Sequence, residues 1–213
     1  MKTNNFDDLL KAANQGNIEA QYKILLASHW INEKKSFEKW LKTAKQGDAE
    51  AQFNVSAAYY EGNGVKQDTK KSFKWGLKAA EQGHAKAQFN IAVAYHCGEG
   101  VGQNIKKAFE WALKAAEQGD VKAQHNVSVA YRCGKGVKQD AKKAFEWALK
   151  AAEQGHVEAQ HNVSIAYYRE NGVEKDDQKA FEWALKAAEQ GHVEAQFNVV
   201  GATILKKNEP CKK

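Results

Sequence analysis

The sequence predicts an all-α solenoid of five helix pairs, each about 36 residues long, with half a pair at each end. Three observations carry this reading. The tripeptide Glu-Gln-Gly ends at Gly83, Gly119, Gly155 and Gly191, a spacing of 36 residues held three times. Trp75, Trp111, Trp147 and Trp183 recur at the same interval. A single proline in 213 residues leaves the long stretches between turns free to be helical.

Each unit carries its own start and stop signals. In the unit 120–155, Asp120 stands where it can cap a first helix whose apolar ridge runs Ala123, Val127, Ala130 and Tyr131. Gly134 and Gly136 break that helix. Asp140 then caps a second, with Ala144, Trp147, Ala148 and Ala151 along one side, and Gly155 supplies the left-handed position at its end. The first cap position reads Asn17, Asp48, His84, Asp120, His156 and His192 along the chain; the second reads Asp68, Asn104, Asp140 and Asp176. Small residues at Ala44, Ala80, Ala116, Ala152 and Ala188 permit helix axes to approach to about 8–10 Å.

The expected organisation is one continuous solenoid over 1–205, with a polar tail at 206–213. A capping helix occupies 1–16, repeats follow at 17–47, 48–83, 84–119, 120–155 and 156–191, and a closing helix covers 192–205. That makes about twelve helices. The repeat at 17–47 lacks the Gly-x-Gly-Val turn, which accounts for its shorter length, and a helix pair is expected there too.

Composition narrows the function classes. With 43% apolar and 27% charged residues the chain is not largely disordered. Basic residues exceed acidic ones by 32 to 26, and a net charge of +6 is too mild to indicate nucleic acid. No run approaches the ~18 apolar residues of a transmembrane helix. Residues 1–16 lack the apolar core of a signal peptide, so the expected location is cytoplasmic.

Several motifs occur together: Ala144-x-x-Trp147, Lys-Ala-Ala-Glu-Gln-Gly ending at Gly155, Ala159-Gln160, Tyr167 late in a first helix, and Gly134-x-Gly136-Val137. The combination resembles the Sel1-like repeat, a relative of the tetratricopeptide repeat, over roughly residues 6–205. Three departures stand out. Apolar-then-small pairs (Val55-Ser56, Ile91-Ala92, Val127-Ser128, Val163-Ser164) replace the family's Leu-Gly, Glu170 replaces a turn glycine, and Trp40 is displaced by one position. The resemblance implies a right-handed α/α superhelix that serves as a protein-binding scaffold or adaptor in bacterial signalling or regulation, not an enzyme. An alternative it also implies is an immunity or host-interacting effector protein. Relatives said to bind penicillin-like ligands carry a cysteine pair bridging the helices of each repeat, which this chain lacks.

In such an architecture the first helices line a concave groove, and positions that vary among repeats there are candidates for partner contact. At one level these are Phe53, Phe89, His125, His161 and Phe197; the next holds Ala57, Val93, Val129 and Ile165. A third level holds Tyr60, His96, Arg132 and Tyr168, with Arg169 beside it. Asn54, Asn90, Asn126, Asn162 and Asn198 recur once per repeat, and each amide offers both a donor and an acceptor. They are suited either to holding an extended peptide or to bonding neighbouring helices and loops. Residues 116–151 carry seven basic and four acidic side chains, and 152–187 the reverse, a polarity able to orient a partner. Lys138, Lys142 and Lys143 nevertheless fall at the turn and outer helix, where charge is usually solvated.

Other constellations carry little. His84, His156 and His192 occupy cap positions facing solvent. Cys97 and Cys133 lie one repeat apart, beyond the ~7 Å limit for a disulfide. His125 and His161 lack further convergent ligands, so neither metal nor cofactor is expected. Ser36-x-x-Lys39 has no companion motif of a serine acyl-enzyme. No strand leads into Gly98–Gly102, as a dinucleotide loop requires. The recurring tryptophans suit core packing better than a nucleic-acid platform. The expected partner is another protein or peptide, with no nucleic acid, membrane or metal involved.

Overall fold

In a computed structural model, residues 4–199 are described, with side chains from residue 8 onward. The rest of the expected closing helix, the polar tail and Cys211 lie outside the described residues. Ten helices follow one another: α1 (Asn4–Asn14), α2 (Ile18–Ala44), α3 (Ala49–Glu61), α4 (Thr69–Glu81), α5 (Ala85–Cys97), α6 (Ile105–Glu117), α7 (Val121–Cys133), α8 (Ala141–Glu153), α9 (Val157–Arg169) and α10 (Asp177–Glu189). An eleventh, α11, opens at 193 and is described as far as 199. Among the described residues there is no strand, and consecutive helices from α1 to α4 and from α6 to α10 pack together. The chain divides into two compact units, Met1–Ala87 with Glu99–Val101, and Gln88–Gly98 with Gly102–Lys213.

The first unit departs from the expected helix pair at 17–47. A single helix, α2, runs 27 residues through that segment. Nothing in Ile18–Ala44 stops it, because the stretch contains neither glycine nor proline. Its first turn behaves like the first helix of a repeat: Asn17 caps it by accepting from the Ala20 N–H at 2.9 Å, and Gln21 donates back to the Ala13 carbonyl at 3.0 Å. Its second half behaves like a second helix. Phe37 meets Tyr59 edge-on at 5.3 Å, and Phe37, Ala44, Ala51, Val55 and Ala58 form the core. One helix thus replaces two, leaving Ile18, Tyr22, Leu25 and Trp30 of α2 exposed.

Within the second unit the punctuation follows the sequence closely. Asp120 accepts from the Ala123 N–H at 2.8 Å, and Asn104, Asp140 and Asp176 cap α6, α8 and α10 in the same way. Cap histidines serve equally well: Nδ1 of His156 accepts from Ala159 and Nδ1 of His192 from Ala195, each at 3.3 Å. Each first helix ends on a left-handed residue, Gly98, Gly134 or Glu170. Among the described residues, Glu170, at φ 56°, is the non-glycine residue in that region.

The second turn glycine is fixed by a close approach. A Cβ on Gly136 would stand 2.4 Å from the Ile105 carbonyl oxygen, and one on Gly172 2.1 Å from that of Ala141. Each turn therefore rests on the first turn of the preceding second helix, where only glycine fits.

The cores are built from small residues closed by aromatic lids. Val127 and Ala115 are fully buried, and Phe109 meets Tyr131 edge-on at 5.3 Å. Trp111 and Trp147 pack against this cluster, and Lys114 and Lys150 each lie 4.1 Å over the ring of the tryptophan three residues before. The tryptophans are thus spent on packing, with an ammonium covering the outer π-face.

Candidate partner-binding surface

The first level of expected groove residues turns out to be joined to the helix caps. His125 stacks on His156 with centroids 4.4 Å apart, and His161 on His192 at 4.3 Å; in the first unit Phe53 stacks on His84 at 4.5 Å. Each pair links a first helix to the start of the next. The cap histidines are therefore partly covered rather than simply facing solvent, with the side chain of His156 19% exposed.

These rings are electrostatically restrained. His125 is held below the ordinary histidine range first by burial and then by the neighbouring His156, with Glu158 opposing. His161 is lowered by burial and by His192, although Glu194 lies 3.3 Å from its Nε2. Nδ1 of both His125 and His161 is buried without a hydrogen-bond partner. Such a site favours neutral imidazole.

Beyond the stacks, the second unit holds a cavity of about 300 Å³ between α5, α6 and α7. Val93 and His96 of α5 and Asn126 and Val129 of α7, all expected at the groove, line its walls. Its floor comes from α6 through Ile105, Ala108, Phe109 and Ala112. Ala92, Ala130 and Lys135 complete it, and none of them is among the expected contacts. One sequence signal was available: Ala92 takes the position that serine holds at 56, 128 and 164. In the first unit that position is filled with polar bonds, Ser56 donating to the Ser72 carbonyl at 2.8 Å.

The remaining expected residues fall into two groups. Asn90, Asn126, Arg132, Tyr168, Arg169, Phe197 and Asn198 are exposed, whereas Phe89, Asn162 and Ile165 are half-buried. In the first unit Asn54 is half-buried and Tyr60 exposed. Among the described residues, no hydrogen bond within the chain engages the side-chain amides of Asn90, Asn126 and Asn162. Cys97 and Cys133 are free and exposed, and among the described residues no group of three His, Cys, Asp or Glu side chains converges where it could hold a metal ion.

Comparison with known protein families is decisive at this point, since the Sel1 repeat matches four times, at 49–84, 85–120, 121–156 and 157–192. The chain belongs to the Sel1 repeat family. This family is a repeat scaffold that commonly binds protein. Among solved structures, a protective antigen of uropathogenic Escherichia coli strains displaying an SLR fold is 33% identical, with a TM-score of 0.78 over 97% of this chain and 45% of its own. A Sel1 repeat protein from Oxalobacter formigenes is 35% identical, with a TM-score of 0.74 over 80% of this chain and 49% of its own. The chain thus spans less than half the length of either structure. No curated protein matches it.

The Sel1 motifs now have physical roles. Ala-Gln and Glu-Gln-Gly are two ends of one hydrogen-bonded joint: Gln118 donates to Gln88 at 2.6 Å, Gln154 to Gln124 at 2.7 Å and Gln190 to Gln160 at 2.7 Å. These recurring residues hold the repeats together. No helix among the described residues is long and apolar enough to cross a membrane.

Proposed function

We propose that this Sel1 repeat protein is an adaptor that holds a segment of a partner protein across α5, α6 and α7 of its second unit. The observation that carries the reading is the cavity of about 300 Å³, apolar on its floor and bordered by the unbonded amide of Asn126. An apolar side chain of the partner fills the cavity, while the amide bonds its backbone. Val129 lines the cavity, and Ile165 holds the equivalent position on α9. Phe53, His125 and His161 do not take part, because their rings are stacked on cap histidines. Whether the scaffold works in regulation, as an immunity protein or on a host factor is set by the protein that supplies the segment.

The test is affinity capture from the native lysate, comparing wild type with the Val129→Glu, Ile165→Glu double variant after circular dichroism shows both folded. One protein retained by wild type and lost by the variant is the expected result. Equal retention by both would place binding elsewhere on the chain.

A further inference from the structure

Charge around the cavity narrows the chemistry of the segment, given the binding surface proposed above. Helix α7 contains no Asp or Glu, and its charged residues are Lys122 and Arg132. The part of α5 in the same unit, from Gln88 on, also has no acidic residue and contributes His96 to the cavity wall. Lys135 lines the opposite side from the turn after α7.

Two of the nearby acidic groups are turned elsewhere, and a third, Glu158, acts on His125, as Arg132 does. Asp120 is committed to capping α7, and helical periodicity puts Glu110 on the side of α6 away from Ile105, Ala108 and Ala112. Lysines elsewhere in this unit find carboxylates, as Lys175 does at Asp177 and Lys179 at Asp176. Arg132 and Lys135 take part in none of the ion pairs among the described residues. In the following repeat the balance reverses, residues 152–187 carrying seven acidic and four basic side chains.

We infer that the cavity takes an apolar side chain from a partner segment that is acidic on its flanks, with carboxylates meeting Arg132 and Lys135. An apolar pocket alone would accept any hydrophobic anchor. Lys135 in its lining and Arg132 on α7 favour acidic flanks and disfavour basic ones, because like charges brought together at an interface repel. The acidic repeat beyond α8 limits how far along the scaffold the acidic stretch extends.

The experiment is selection of a random displayed-peptide library on the full chain, followed by fluorescence anisotropy of the enriched peptides. Wild type would be compared with Arg132→Glu plus Lys135→Glu, with Val129→Glu, and with Asn126→Ala. The exposed Asn126 keeps a surface variant available should Val129→Glu not fold. The expected outcome is enrichment of Leu, Phe or another large apolar residue flanked by Asp and Glu. Affinity for these peptides falls about tenfold or more on charge reversal and with rising salt, and falls also with the Val129 or Asn126 change. Neutral or basic peptides that still lose affinity with Val129→Glu or Asn126→Ala would overturn the acidic partner and leave the binding surface standing. Peptides indifferent to every variant, or no enrichment at all, would overturn both.

Discussion

The side-chain amide of Gln154 donates to Oε1 of Gln124 at 2.7 Å, and Gln124 donates in turn to the carbonyl of Ala116 at 3.2 Å. Two glutamines thirty residues apart thereby tie the end of α8 to α7, and α7 to the end of α6. Gln124 is buried, so its removal leaves a buried carbonyl bare. Gln124→Leu is expected to destabilise the chain by about 2 kcal/mol, and Gln154→Leu, whose side chain is exposed, by about 1 kcal/mol. Urea unfolding followed by circular dichroism measures both; equal, negligible losses would show that the joint adds nothing to stability.

A pH dependence follows from the stacked rings. His125 faces His156, Glu158 and Arg132, and His161 faces His192 and Glu194. Both histidines have folded-state values lowered from 6.5, so between the folded values and 6.5 the unfolded chain binds more protons. Their contribution to stability is complete above pH 6.5 and is lost as pH falls through the lower folded values. Thermal unfolding scanned downward from neutral pH should show this loss. It should shrink in His125→Phe plus His161→Phe, which substitutes the ring that Phe53 and Phe89 already supply at the same position.

The turn glycines separate two costs. Gly136 has φ +74° and a Cβ there would strike the Ile105 carbonyl oxygen, whereas Gly155 has φ +88° and open space around it. Gly155→Ala should therefore cost about 1 kcal/mol, the left-handed backbone alone. Gly136→Ala adds the collision, and a total of about 3 kcal/mol is expected. Equal losses in chemical unfolding would mean that the turn does not rest on α6 as described.

Caps and turn glycines were legible in the sequence because each acts within a few residues of itself. Asp120 needs only Ala123, and Gly134 only the end of its own helix. The fate of 17–47 is illegible for an equally local reason: the absent Gly-x-Gly-Val turn suggests a shortened pair, yet with no breaker present α2 simply continues. The ring stacks were hidden because they join positions thirty-one residues apart, and a histidine at a cap gives no hint of what lies against its face. Half the cavity was likewise hidden. Val93, His96, Asn126 and Val129 emerge from comparing the first helices, but the floor depends on Ile105, Ala108, Phe109 and Ala112 of α6, a second helix.

Glu170 offers the converse experiment, a substitution that should stabilise. Its φ of 56° places a side chain in the left-handed region, where Gly98 and Gly134 stand at the equivalent positions. The N–H of Asn171 bonds the Ala166 carbonyl at 2.9 Å, so the surrounding turn holds Glu170 in that conformation. Left-handed backbone costs a non-glycine residue about 1–2 kcal/mol. Glycine recovers this but gives back about 0.5–1 kcal/mol through the freedom of the unfolded chain. Glu170→Gly should thus raise stability by about 0.5–1 kcal/mol, whereas Glu170→Ala, still left-handed and still bearing a Cβ, should leave it nearly unchanged. If Ala and Gly stabilised equally in urea unfolding, the gain would come from removing the carboxylate beside Glu174 and Asp176 and not from the backbone.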